Sequence, residues 1–233
     1  MSYRFLDIAV TPSVRAIQAE MGADRVWQDF KGHREFDRFT ENEVAFIADR
    51  DSFYMATVSE TGWPYVQHRG GPRGFLKVVD EKTLAFADYR GNRQYISVGN
   101  LAGDDRAALI LMDYAGRARL KIYAHVEAVP LDADAALARL VADSGYRAKP
   151  ERILLLHLMA FDWNCPQHIT ARFTEAEISE AVRPLRERLT TLEAENAELR
   201  ARTAKEGVND ENQRPAAPAV RRGRSRRPEG PPR

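Results

Sequence analysis

FADYRGNRQYISVGNL, residues 86–101, is the stretch whose reading decides the fold. A strand-like run ends at Tyr89; Arg90, Gly91, Asn92 and Arg93 follow, and a helix-like pattern is expected from about Asn92 to Leu101. A strand that hands the chain straight to a helix leaves unpaired backbone N–H groups at the positive end of the helix dipole. Arg90 and Arg93 add full charges there and Asn92 a capping side chain. The junction is therefore a candidate anion site, where each charge-assisted hydrogen bond to a phosphate contributes about 1.5–3 kcal/mol. Surface cations around an ordinary capped helix fit the spacing equally well.

Outward from this junction the apolar period is two. From Ser52 onward FYMATVSE, PYVQHR, GFLKVVD, TLAFADY, RAALILMDY and RLKIYAHVEAV succeed one another, separated by turn signals such as ETG, DEK and AG. Six such segments at short spacing predict antiparallel strands closing into a barrel, with the 92–101 helix between the fourth and fifth. Lys77 lies on the strand expected beside TLAFADY and is a candidate second jaw on the same anion. In QHRGGPRG, residues 67–74, the glycines around Pro72 allow close backbone approach to a flat ligand, with Gln67, His68 and Arg69 as donors at its rim. A β-bulge at a barrel corner would use the same glycines.

Helices complete the pattern. Residues 11–22 read as an amphipathic helix capped by Thr11, with Val14, Ile17 and Met21 on one face. Thr40 and Glu43 form a capping box for a second helix whose apolar side carries Val44 and Ile47. Residues 132–144 predict another helix, and ERILLLHLMAFDW, residues 151–163, a last strand. After Thr174 the period becomes heptad-like: Val182, Leu189 and Asn196 fall at one core position and Leu185, Leu192 and Leu199 at the other. Asn196 favours a two-stranded, in-register coiled coil, and Pro184 opposes it; one amphipathic helix packed on its own subunit is the alternative. The expected organisation is an N-terminal helical extension over 1–39, a barrel domain over 40–173, a helix or coiled coil over 174–206 and a disordered basic tail over 207–233.

The order GFLKVVD, FADYRGNRQ, helix, DRAALILMDY and RLKIYAHVE resembles the pyridoxamine 5′-phosphate oxidase-like flavoproteins, the FMN-binding split barrels, and within them the flavin-nucleotide-binding branch. The resemblance covers residues 40–130 and is most specific over 52–127. It implies a mainly β fold with peripheral helices, an antiparallel split β-barrel, FMN held between two subunits of a homodimer, and oxidoreductase activity on a small molecule with NAD(P)H as a candidate donor. It implies Lys77 at the FMN phosphate, with Asn92, Arg93 and Gln94 where the family has Ser-Arg-Lys. One cation is thus missing at Gln94, and Arg90 is its candidate replacement. Gln67, where the oxidase has its first phosphate-side Arg, His68, Arg69 and Arg119 are implied around the ribityl chain and ring. An Arg beside the pyrimidine end stabilises an anionic reduced flavin. The true oxidase's Arg-x-His substrate pair is missing, which argues against a vitamin B6 substrate. A non-catalytic carrier or redox sensor for FMN or a deazaflavin is the main rival, and haem ligation by His68 or His125 a lesser one.

Composition narrows the rest. With 233 residues, 44% of them hydrophobic, the chain can hold one substantial domain and an appendage. No apolar run approaches the roughly 20 residues of a membrane span, and no signal-like segment opens the sequence, so a cytoplasmic, membrane-free protein is expected. The single cysteine, Cys165, excludes an internal disulfide. Cys165 and His168 in WNCPQHIT could be a thiolate with its base or half of a metal site, but a packed chain reversal explains them as well, and no metal is assigned. The net charge of +1 divides into +4 over residues 210–233, from seven Arg against Asp210, Glu211 and Glu229, and −3 over the remainder. A mildly acidic folded part makes nucleic acid an unexpected partner.

Overall fold

The computed structural model describes residues 4–23, 36–163 and 166–212. Residues 1–173 and 174–233 form two compact units. In the first, β1 (Ser52–Val58), β2 (Pro64–Gly70), β3 (Lys77–Asp80), β4 (Thr83–Tyr89), β5 (Arg106–Asp113), β6 (Ala118–Val129) and β7 (Pro150–Trp163) make one antiparallel sheet in the order β2-β1-β5-β6-β7-β4-β3. Alternation sets the faces. In β6, Leu120, Ile122, Ala124 and Val126 turn into the core while Lys121, Tyr123 and His125 take the other side.

The sheet curls on itself. The Phe53 and Phe86 rings meet edge to face at 5.3 Å, although three strands separate β1 from β4 in the ladder. The edge strands β2 and β3 do not pair with each other; across the gap Arg69 of β2 and Asp88 of β4 form an ion pair at 2.8 Å. The architecture is thus a split barrel, mainly β with peripheral helices. Its interior is filled by Phe53, Met55, Phe86, Leu111, Leu120 and Phe161, among others. A smaller cluster, Ala85, Ala87, Val141 and Ile153, lies on the other face of β4. Because β4 is buried on both faces, it reads as a nearly unbroken apolar run.

The helices follow their caps. α1 (Arg4–Ala9), which no sequence signal announced, buries Phe5 against the Tyr123 ring at 4.7 Å. In α2 (Pro12–Glu20) the Thr11 hydroxyl accepts from the Val14 N–H, as expected, but Val14, Ile17 and Met21 are exposed. α3 (Glu41–Ala48) has its capping box: Glu43 accepts from the Thr40 N–H at 2.9 Å, and its other oxygen accepts from the Trp163 indole at 2.7 Å. Glu43 and Ile47 therefore hold the inward positions, and Val44, expected there, faces out. α4 (Ile96–Gly103) starts four residues later than the pattern suggested, and α5 (Ala135–Val141) falls inside the expected 132–144.

The second unit contains α6 (Glu175–Asn212), a helix of 38 residues that passes Pro184 without ending. Thr174 and Glu177 exchange side-chain and backbone hydrogen bonds at its start. It runs six residues past the expected boundary at 206; the Arg-rich tail beyond it, and Cys165, lie outside the described residues. Among the described residues no helix is long and apolar enough to cross a membrane.

Candidate functional site

Between β4 and α4 the chain makes a tight, unusual turn. Arg93 and Tyr95 both have positive φ, 61° and 53°, although neither is glycine. Asn92 does not cap the helix as expected. Its Oδ1 accepts from the Gln94 N–H at 3.1 Å and its Nδ2 donates to the Gln94 side-chain oxygen at 3.2 Å, so Asn92 closes the turn instead. The residue at the cap position is Tyr95, and no side chain caps α4.

The helix start consequently opens onto a cleft of about 200 Å³. Tyr65, Gln67 and Arg69 of β2 form one wall; Asp88, Tyr89 and residues 91–98 form the other, with Glu151 of β7 between them. β7 reaches the site because it pairs with β4, Arg152 lying opposite Asp88 and Pro150 opposite Tyr89. Gln67 is positioned by the Tyr65 hydroxyl, which donates to its side-chain oxygen, and its own Nε2 donates to the His68 carbonyl at 3.2 Å.

Charge in and around the cleft is organised by arginine. Asp88 is held by Arg69 at 2.8 Å and Arg152 at 3.6 Å. Glu151 is held by Arg90 at 2.8 Å and Arg152 at 3.6 Å, and accepts from the Tyr95 hydroxyl at 3.3 Å. The Arg90 hydrogen bond, helped by the Tyr95 hydroxyl, keeps the Glu151 carboxyl below the usual glutamate range. Arg93 donates through Nε to the same Tyr95 hydroxyl at 3.2 Å, and Arg152 lies 5.1 Å over the Tyr95 ring. Four guanidiniums, Arg69, Arg90, Arg93 and Arg152, thus face two carboxylates, leaving two positive charges over beside the helix start. Two buried polar atoms here lack partners: Arg69 Nε and Tyr89 Oη. Burial, with the Asp143 carboxylate and Tyr146 adding to it, pushes the Tyr89 phenol up, so at neutral pH it is a donor.

A family model described as pyridoxamine 5′-phosphate oxidase matches residues 39–162, more than half of the 233-residue chain. The chain belongs to this family. No curated protein matches it. Among solved structures it is similar to a candidate pyridoxamine 5′-phosphate oxidase from Lactobacillus delbrueckii, at 20% identity over 55% of this chain and 96% of that one, TM-score 0.42. It is also similar to an FMN-binding protein from Syntrophomonas wolfei, at 15% identity over 66% and 95%, TM-score 0.39. A third is the heme storage protein HutZ from Vibrio cholerae, at 15% identity over 51% and 89%, TM-score 0.35.

Of the residues that the likeness to the pyridoxamine 5′-phosphate oxidase family singled out, five line the cleft: Gln67, Arg69, Asn92, Arg93 and Gln94. Three do not. His68 alternates to the far face of β2, where its ring meets Tyr54 at 5.4 Å. Lys77 is on the strand next to β4, as expected, but lies opposite Ala85, whose side chain belongs to the smaller cluster. Paired residues share a face, so Lys77 is directed away from Phe86 and Asp88, and it is not among the residues that line the cleft. Arg119 lies opposite Met112 beside the β5–β6 turn.

The structure adds Asp88, Tyr89, Tyr95 and Glu151 to the cleft, with Arg152 behind it. Asp88, Tyr89 and Tyr95 stood in the opening stretch; the charged pair at the head of an otherwise apolar last strand was the only signal for the other two. The glycine loop turns its backbone toward the protein, and the β1–β2 register runs up to Gly70 without a bulge. The Gly71 N–H donates to the Asp51 carbonyl at 3.0 Å and the Gly74 N–H to the Arg50 carbonyl at 2.8 Å. Elsewhere, His125 bonds Asp105 at 2.8 Å and lies opposite His157 across the β6–β7 ladder. Among the described residues no three His, Cys, Asp or Glu are grouped to hold a metal.

Proposed function

We propose that the chain binds FMN by its phosphate at the start of α4 and acts, as a homodimer, as a flavin-dependent oxidoreductase on a small molecule. The observation that carries this reading is the uncapped helix start flanked by four arginines whose charge exceeds by two that of Asp88 and Glu151, the carboxylates they pair with, and a phosphate monoester carries a matching charge. Asn92, Arg93 and Gln94 would hold the phosphate. Gln67 and the free Nε of Arg69 would take hydroxyls of the ribityl chain, and Tyr89 is a further donor. At about 200 Å³ the cleft is smaller than the roughly 300–1,000 Å³ of complete small-molecule sites. It suits the phosphate and ribityl chain, which agrees with a ring covered by a second subunit.

Bound flavin supplies two-electron redox chemistry; the chain's own residues bind, orient and set the potential. No histidine or cysteine lines the described cleft, and both carboxylates are committed to arginine. The same absence of acid–base groups favours a second reading, a flavin or deazaflavin carrier or redox sensor. The absorption spectrum of the protein as isolated, with mass analysis of the released chromophore, tests the cofactor; a colourless protein that takes up neither FMN nor a deazaflavin refutes both readings. Bleaching by NADH or NADPH and recovery in air, far faster than for free FMN, separates enzyme from carrier.

A further inference from the structure

From Ile178 to Thr203 the sequence of α6 repeats every seven residues: Val182, Leu189 and Asn196 at one seam position, Ile178, Leu185, Leu192 and Leu199 at the other. The five Ile and Leu side chains of this seam are 44–70% exposed. Pro184 lies two residues after Val182, on the side of the helix away from the seam, so its missing N–H removes no seam contact. An apolar stripe of this length on a polar helix calls for a matching stripe, and the flanking charges show what would match.

The positions flanking the seam carry Arg186, Glu193 and Arg200 on one side, and Arg188, Glu195 and Arg202 on the other. In a parallel, in-register pair, Arg188 meets Glu193 of the partner subunit and Glu195 meets Arg200 of the partner subunit; no like charges are opposed. An antiparallel pair aligned on the same seam would also join unlike charges, but it would seat the Asn196 amide against a leucine and leave it unsatisfied. In the parallel pair Asn196 meets its own copy, and the two amides satisfy each other.

We propose that α6 is an association surface for a second copy of this chain, which it takes as a parallel, in-register two-stranded coiled coil over residues 178–203. The inference goes beyond the flavin reading and does not depend on it.

Disulfide capture in the full-length chain tests it. In a Cys165→Ser background, Leu199→Cys places a thiol on the seam and Ala197→Cys one on the outer face. Two in-register seam positions fall within the ~4.4–6.8 Å Cα separation that a disulfide bridges. In the antiparallel alignment the two 199 positions would be about 25 Å apart, from the 1.5 Å rise per residue. Under mild oxidation most of the Leu199→Cys chains should become covalent dimers and the Ala197→Cys chains should not. Adding Arg188→Glu should slow capture at position 199 several-fold, and adding Glu193→Arg as well should restore it, whereas in the antiparallel pair that second change would worsen it. Capture at 199 no better than at 197, or failure of the double reversal to restore it, overturns the proposal. Flavin content is read on the same samples, so loss of the coil and loss of the cofactor are told apart.

Discussion

Residues 70–76, GGPRGFL, and residues 89–95, YRGNRQY, are both glycine- and arginine-bearing turns next to β-strands, and their donors go to different places. In the first, backbone N–H groups are taken up by the α3–β1 connection, and the glycines make room for protein. A Cβ on Gly71 would stand 2.7 Å from the Phe75 ring, and one on Gly74 2.9 Å from the Ala48 carbonyl oxygen. In the second, a Cβ on Gly91 would meet nothing within 4 Å, the following helix start has no side-chain cap, and two buried donors nearby lack partners. The lesson is that composition marks a turn as able to bind, while the direction of its donors decides whether it binds protein or ligand.

That contrast can be broken, and the clasp beside the second turn gives the largest expected effect. Arg69→Met leaves the buried Asp88 carboxylate with only the longer Arg152 contact and should cost about 3–5 kcal/mol in urea unfolding. A loss below about 1 kcal/mol would mean that the gap between β2 and β4 is held by something else. In the first turn, Gly74→Ala forces a side chain onto φ 73° against a backbone oxygen and should cost about 2–3 kcal/mol. Flavin bound per folded molecule should not change; if flavin falls while stability holds, the two turns have been assigned the wrong way round.

Arg93→Ala is the mirror experiment. Stability should stay within about 0.5 kcal/mol, since the side chain is exposed, while FMN affinity measured by fluorescence quenching should fall about 10- to 100-fold. Lys77→Ala sharpens the site's edge: with the lysine on the far face of β4, FMN affinity should change by less than about twofold. A tenfold drop would move the phosphate toward β3.

The smallest effect is a titration. Glu151 has its folded-state pKa lowered, so its ion pairs add stability above the ordinary glutamate range, and that contribution is lost as the pH falls through the lowered value. NMR of the Glu151 side-chain carboxyl should show a midpoint below the usual range, and Arg90→Ala should move it up. An unmoved midpoint would detach Arg90 from the site.

Much of the barrel was legible because alternation and caps are local. FYMATVSE, TLAFADY and RLKIYAHVEAV announce strands by their period of two, and Thr40 with Glu43 announces a helix start. Pairing is not local. That β7 comes to lie beside β4, bringing Glu151 and Arg152 to a junction some 60 residues earlier, depends on sheet order, and no short-range pattern encodes it. Lys77 shows what local pattern leaves open: its strand and neighbour follow from the period of two, but its face is set by register, which a one-residue slip inverts. The late start of α4 was hidden because left-handed Arg93 and Tyr95 are choices the backbone disfavours, here accompanied by side-chain contacts of the Tyr95 hydroxyl, one with neighbouring Arg93 and one with Glu151, far along the chain.

Those two left-handed residues have an evolutionary corollary. Glycine at either position would relieve roughly 1–2 kcal/mol of backbone strain, and a single codon change reaches glycine from many arginine codons. Drift under selection for stability alone would push position 93 that way. An arginine at 93 forgoes that relief, and the phosphate contact proposed above is what would offset it. Variants bred only for heat tolerance should therefore surrender Arg93 early, and turn pale as they harden.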